Sequence, residues 1–237
     1  MPDEADPFGA VIAALDEAGI LADIVLVGGW AQFLYRRYFN NPPELSALRT
    51  LDIDLLFKRP PKHASCGPLL ETFAPLGFRK EISAEGFMKF VSREMEIDFL
   101  IPDRGKGDQV PYLIPGLAIS AQSLRYMDML LEDTIPVVHE GHRIMVPDPI
   151  RFCFHKLIVS DRRDSSTKRE KDLTTGIEMA SLLCSLPDWR TRFSPLLASL
   201  PQKSRTLVIS ILARSRNQAI LSSLPVGHYK RTRESEP

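Results

Sequence analysis

Two aspartates one residue apart interrupt an apolar run in "TLDIDLLF", residues 50 to 57, and a third, Asp98, interrupts another in "MEIDFLIP", residues 95 to 102. If both runs are strands, alternation places Asp52 and Asp54 on one face, and Glu96 shares a face with Asp98. Carboxylates held this close repel one another and lose hydration among apolar neighbours, so something must offset the cost. A divalent cation does so. Magnesium takes oxygen ligands and commonly binds one or two carboxylates together with water and substrate phosphates. If the two strands are neighbours, Asp98 completes a cluster with Asp52 and Asp54. The plainer reading makes Asp52 and Asp54 a solvent-facing strand end and Asp98 a turn cap.

Upstream, "VLVGGWAQF" sets Gly28 and Gly29 between a β-branched run and the first turn of a helix. Glycine permits a sharp turn and lets a ligand come close to the main chain, and a helix N-terminus favours an anion. The pair reads either as a phosphate-binding corner or as a tight turn. Trp30 beside it either stacks on a base or ribose or fills the core. Lys156, in "RFCFHKLI", either reaches a phosphate or runs its stem along apolar surface to water. In "SDRRDSSTKREKD", residues 160 to 172, Arg162, Arg163, Lys168 and Lys171 are candidates for a triphosphate or acceptor contact. The alternative there is a solvated loop in which Asp172 pairs with a nearby base. "HEGH", residues 139 to 142, is not a metalloprotease motif. Its histidines stand three apart across a glycine, whereas the zinc-binding pair needs four on a helix.

The elements that must position these residues follow from periodicity. Phe8, Val11, Ile12 and Leu15 recur at helical spacing before Gly19, which predicts an opening helix from Pro7 to Ala18. "ADIVLVG" predicts a buried strand, "WAQFLYRRYF" a helix, and "NNPPELSALRT" a loop, because two prolines cannot continue a helix. "LDIDLLF" predicts a strand, residues 60 to 78 a turn and a helix, and "KFVSREMEIDFLIP" two strands about a charged turn. Residues 104 to 109 read as a polar loop and "SAQSLRYMDMLLED" as a helix. "IPVVHEGHRIMVP" reads as a hairpin turning at Glu140 and Gly141. From Pro149 onward apolar helical stretches alternate with prolines. These patterns predict an α/β fold: a mixed sheet flanked by helices over residues 1–115, then a hairpin and helical domain over 116–228. Residues 229–237 form a tail with little to bury.

Bulk composition bounds the rest. The 237 residues carry 30 basic and 30 acidic side chains, so no global charge draws the chain to nucleic acid or membrane. Three cysteines without a C-x-x-C pair argue against a disulfide framework or a cysteine zinc site, and the expected compartment is reducing and cytoplasmic. No apolar run reaches the roughly 18 residues of a membrane span, and the acidic N-terminus is unlike an export signal.

In this order, "VGGWA", "TLDIDLLF" and "MEIDFLIP" resemble the nucleotidyltransferase superfamily of the polymerase-β type. Within it, the chain is similar to bacterial nucleotidyltransferase-like proteins related to the AbiEii group of toxins. The resemblance covers roughly residues 20 to 101, with a weaker echo in "VPDPIRFCFHKLIVSDRR" and "KDL". It implies transfer of a nucleoside monophosphate from a nucleoside triphosphate to an acceptor, with pyrophosphate released. Asp52, Asp54 and Asp98 would then be the catalytic and metal-binding residues for Mg2+ or Mn2+, with two ions expected. Gly28, Gly29, Trp30, Lys156 and Lys171 would bind the nucleotide. Many members carry serine where this chain has Gly29. The acceptor is unassigned: an RNA end, a protein side chain and a small molecule each offer a hydroxyl. Two rival readings are a non-catalytic nucleotide- or partner-binding module on the same fold and a toxin-like tRNA nucleotidyltransferase.

Overall fold

The structure, a computed structural model, describes residues 6–47, 50–58, 67–103, 105 and 111–224. The tail expected at 229–237 and most of the polar loop at 104–109 lie outside the described residues. The chain divides into two units, one of residues 1–38 and 48–147, the other of residues 39–47 and 148–237. This moves residues 116–147, which the sequence reading grouped with the helices, into the first unit.

The first unit opens with α1 (Pro7–Glu17), whose apolar stripe Phe8, Val11, Ile12 and Leu15 is buried. Next come β1 (Ile24–Val27), α2 (Gly28–Tyr38), β2 (Asp52–Phe57) and the short α3 (Leu69–Phe73). These are followed by β3 (Arg79–Ile82), β4 (Met88–Val91), β5 (Glu96–Pro102), β6 (Pro111–Ile114), β7 (Ile119–Leu124), α4 (Asp128–Glu132) and the hairpin β8 (Thr134–His139) and β9 (His142–Pro147). The main sheet runs β1-β2-β5-β4-β3, with β7 on β5 and β6 on β7. It is mixed: β2 is parallel to β5 and antiparallel to β1, and β4 is antiparallel to β5.

The helix expected over residues 120–133 is instead β7 followed by a single turn of helix. Ser120 and Ala121 are buried in β7 between a parallel partner, β5, and an antiparallel one, β6, and Tyr126 at φ 67° breaks the chain before α4. Pairing from both sides overrides a weak helical pattern. Strands β3 and β6 were not anticipated, because as edge strands they are polar or short and carry little periodicity.

The two faces of this sheet differ. One packs Phe57, Phe73, Phe78, Phe90 and Phe99 in a chain of ring contacts 5.2 to 6.1 Å between centroids. The other carries an apolar cluster of Val25, Val27, Leu56, Leu100, Met127 and Leu130. Along β2 and β5 this second face ends in acids.

In the second unit, α5 (Pro149–Ser160) starts at Asp148, whose side chain accepts from the Ile150 and Arg151 amides, and packs on α6 (Ser166–Ser185). They meet closely at Gly176, where an added Cβ would lie 2.6 Å from a Leu157 methyl, and the Cys153 thiol donates to the Gly176 carbonyl at 3.2 Å. Helices α7 (Pro187–Ser199), α8 (Gln202–Arg214) and α9 (Gln218–Ser223) complete it. The 39–47 loop joins this unit through Ser46, whose amide donates to Glu178 at 3.0 Å, and through Phe39, edge-on to Trp189. Among the described residues no helix is long and apolar enough to cross a membrane.

Candidate functional site

Parallel pairing of β2 and β5 sets Asp52 opposite Glu96 and Asp54 opposite Asp98. Directly paired residues share a face, so the four carboxylates form a two-by-two array at one end of the sheet, with the apolar cluster continuing beyond it. Asp52 is exposed; Asp54, Glu96 and Asp98 are half-buried. The next strand extends the pattern, because β4 sets Lys89 opposite Asp98 and Val91 opposite Glu96. Lys89 Nζ donates to Glu96 Oε2 at 2.5 Å. That hydrogen bond to Glu96, aided by the charges of Asp98 and Glu81 and opposed by partial desolvation, raises the Lys89 amine above its ordinary range. Lys89 was missed in the sequence, where "MKFV" gives no sign of its cross-strand partner.

The glycine pair is explained by what lies against it. Helix α2 begins at Gly28, immediately after β1 in sequence, and Gly28 sits at φ 67°. A Cβ at Gly28 would overlap Asp54 Oδ2, and one at Gly29 would lie 2.8 Å from Thr50 Cβ and 2.9 Å from its hydroxyl. The corner is therefore stripped of side chains so that the Asp54 carboxylate and the Thr50 side chain can lie against the start of a helix, where the peptide dipoles favour negative charge. Gly28→Ala is expected to cost about 2 kcal/mol in denaturant unfolding, from the left-handed backbone plus displacement of Asp54.

Trp30 is half-buried with its ring stacked on Phe8, centroids 3.9 Å apart and planes 7° from parallel, and Phe33 meets it edge-on. One indole face is thus committed to packing.

The donor set of the array is oxygen only, which suits a hard cation, and such a cation needs one or two carboxylates from the protein. Among the described residues, the set of three ligand atoms lying within 4.8 Å of one another is formed elsewhere, by Asp6, His139 and Glu140. That set has another explanation. Arg37 Nη1 lies 2.5 Å from His139 Nδ1, and a guanidinium only donates, so a neutral ring carries its proton on Nε2, 3.5 Å from Asp6 Oδ2. Asp6 caps α1 by accepting from the Phe8 amide, Glu140 lies where a Gly9 side chain would be, and His142 pairs with Asp16 at 2.7 Å. The "HEGH" turn clamps the hairpin along α1.

Residues 6–187 match the profile of a family described as Nucleotidyltransferase. The chain belongs to that family. No curated protein matches the sequence. Among solved structures, an antigenic nucleotidyltransferase-like protein from Paracoccidioides brasiliensis is similar, at 16% identity over 86% of this chain and 93% of that one, TM-score 0.43. The antibiotic-resistance factor ANT(2'')-Ia in solution gives 16% identity over 80% and 92%, TM-score 0.41. ANT(2'')-Ia in complex with adenylyl-2''-tobramycin gives 14% over 88% and 96%, TM-score 0.40.

In this nucleotidyltransferase, the basic residues considered as nucleotide contacts lie in the helical unit. Lys156 on α5 is largely buried and donates to Asp172 Oδ1 at 2.6 Å, and Arg163 donates to Asp172 Oδ2 at 3.0 Å. The Lys156 charge is thus matched within its own unit rather than left to snorkel. Burial acts to raise the Asp172 carboxyl, but Lys156 and Arg163 outweigh it and hold the group below its ordinary value. Arg169 donates to the Arg163 carbonyl, fixing the turn before α6, while Lys168 and Lys171 are exposed.

Next to Lys156, His155 is buried, and among the described residues neither of its ring nitrogens has a hydrogen-bond partner. Burial first, then the neighbouring Lys156 charge, lower it from 6.5 to about 3. The folded chain therefore holds this ring neutral where the unfolded chain protonates it. The contribution is fully present above pH 6.5 and is lost progressively as pH falls from there toward 3. In urea titrations across this window, His155→Leu should show a flatter decline in stability than the parent chain.

Proposed function

We propose that this nucleotidyltransferase moves a nucleoside monophosphate from a nucleoside triphosphate to a hydroxyl acceptor, with Asp52, Asp54 and Asp98 as its catalytic and metal-binding residues. The observation that carries this reading is the register Asp54 to Asp98 across β2 and β5, beside a glycine corner at a helix N-terminus. Magnesium or manganese held by these carboxylates supplies charge neutralisation for the phosphates and alignment of the attacking and leaving oxygens. The backbone at Gly28 and Gly29, free of side chains, lets the triphosphate approach the α2 N-terminus. Asp98 accepts the proton of the acceptor hydroxyl, whose oxygen bonds the α-phosphorus as the bridge to the β-phosphate breaks and pyrophosphate leaves. Thr50, beside Gly29, brings a hydroxyl to the same corner. Lys171, exposed on α6, is a further candidate for a nucleotide contact.

Incubation of the purified protein with each α-labelled nucleoside triphosphate, magnesium and a total cell extract, followed by separation of RNA, protein and small molecules, tests this. Label in one fraction establishes transfer and gives the acceptor class. Nucleotide binding without label in any fraction, with or without manganese, supports a binding module instead.

A further inference from the structure

The balance of 30 basic and 30 acidic residues conceals a division between the two units. The first, residues 1–38 and 48–147, carries 14 basic and 20 acidic side chains, a net of −6, and the second, residues 39–47 and 148–237, carries 16 and 10, a net of +6. Within the second unit the separation sharpens: residues 189–233 contain nine lysines and arginines and no acid. Helix α8 brings part of this charge to solvent. Its apolar side, Val208, Ile209, Ile211 and Leu212, is buried. Lys203, Thr206, Ser210 and Arg214, spaced three, four and four residues apart, form an exposed stripe on the opposite side, and Arg216 is exposed just past the helix end. Among the described residues, the Lys203, Arg214 and Arg216 side chains have no ion-pair partner.

Helix stability does not account for this charge. Lys203 is the second residue of α8, whose first turn holds no acid, and a cation there opposes the helix dipole. Nor is the stripe an apolar docking face. Among the described residues, the exposed large apolar side chains, from Tyr38 to Val138, all belong to the first unit. A stable protein partner buries apolar groups at the middle of its interface, and a membrane-surface helix inserts them among lipids. A phosphodiester backbone needs only cations and hydrogen-bond donors. We infer that the exposed stripe of α8, with Lys203, Thr206, Arg214 and Arg216, binds the backbone of a nucleic acid. From Lys203 to Arg214 the helix rises about 16 Å, the length of about five nucleotides at roughly 3.4 Å each. The stripe offers no aromatic ring for a base to stack on, so recognition is of phosphates rather than sequence. This surface is distinct from the acidic residues of β2 and β5 and goes beyond the transfer proposed above.

Fluorescence anisotropy of a labelled single-stranded RNA, and of DNA of the same sequence, titrated with the full chain without nucleotide or metal, tests this. Binding is expected in the micromolar range at about 50 mM salt, weakening steeply as salt rises. Replacing Lys203, Arg214 and Arg216 together by Gln is expected to weaken it about 30-fold and to make the slope of log K against log salt shallower by about 2, since each contact on a single strand contributes about 0.7. Replacing Lys80, Arg93 and Arg143 by Gln removes the same charge from exposed positions of the first unit, and is expected to leave binding within about two-fold. Exchanging Lys203 for Arg and both arginines for Lys keeps the charge and is expected to keep the binding, which separates lost contacts from lost folding. Equal binding of RNA and DNA supports the inference and confines the contacts to phosphates, whereas stronger binding of RNA supports it and adds the 2′-hydroxyl. Absence of saturable binding to either strand, or equal losses in the two Gln variants, overturns it. Salt-sensitive self-association in sedimentation, or capture by phosphatidylserine vesicles, with neither strand bound, overturns it as well and assigns the stripe to a second copy or to a lipid surface.

Discussion

Asp54→Asn is expected to lower nucleotidyl transfer on the order of a thousand-fold, about 4 kcal/mol of barrier, while the chain stays folded. Asparagine keeps the shape of the side chain and its place against Gly28, so the corner survives, but it removes the charge that a cation needs. The effect on stability should be small, because relief of the like-charge repulsion opposite Asp98 is set against loss of the negative charge that the α2 N-terminus favours. Activity and unfolding are thus expected to move independently. A variant that loses both would indicate that Asp54 is needed for the sheet rather than for the chemistry. Initial rates with α-labelled nucleotide and urea unfolding of the same preparations check the two halves.

Asp172→Ala is the second large effect, and it is a stability effect. It leaves Lys156, whose side chain is only 14% exposed, as an uncompensated buried cation, a situation that typically costs about 3–5 kcal/mol. Arg163 is more exposed and can turn to water, so Lys156 should dominate the loss. The pH dependence has a definite sign. The Asp172 carboxyl lies below its ordinary value of 3.8 in the folded chain, so its contribution is present above that pH and is lost as pH falls through the lower folded value. Equilibrium urea unfolding at neutral pH measures the loss. A change below about 1 kcal/mol would show that the α5–α6 ion triad is not what its burial implies, whereas replacing Lys156 and Asp172 together by Met and Leu should recover most of the stability.

The outline of the first unit was legible because its core strands are strongly patterned. The β-branched run of β1, the interrupted apolar runs of β2 and β5 and the Glu140–Gly141 turn each carry a local signal, and each lies where that signal put it. The exposed strand β3 and the short β6 carry almost none, and β7 looked helical because its neighbours, not its own residues, decide its state. For the site, spacing alone placed Asp52 and Asp54 on one face. The pairing of Asp54 with Asp98 required knowing that β2 and β5 are adjacent and in which register, which is long-range information. The same limit hid Lys89, Thr50 and the Lys156–Asp172 pair, whose partners are 7, 21, and 16 residues away for Glu96, Gly29 and Asp172 respectively. The glycine pair was recognised as a close-approach corner, but part of what approaches it is the protein's own Asp54 and Thr50.

The central claim, that the acidic face beside Gly28 transfers a nucleoside monophosphate, is tested most directly by supplying the parent chain and Asp54→Asn with the same nucleoside triphosphate, labelled in parallel samples at the α- or the γ-phosphate. The expected result is α-label in the acceptor and γ-label only in pyrophosphate for the parent, with neither for Asp54→Asn. Label from the γ-phosphate in the acceptor, or undiminished α-label transfer by Asp54→Asn, would contradict it.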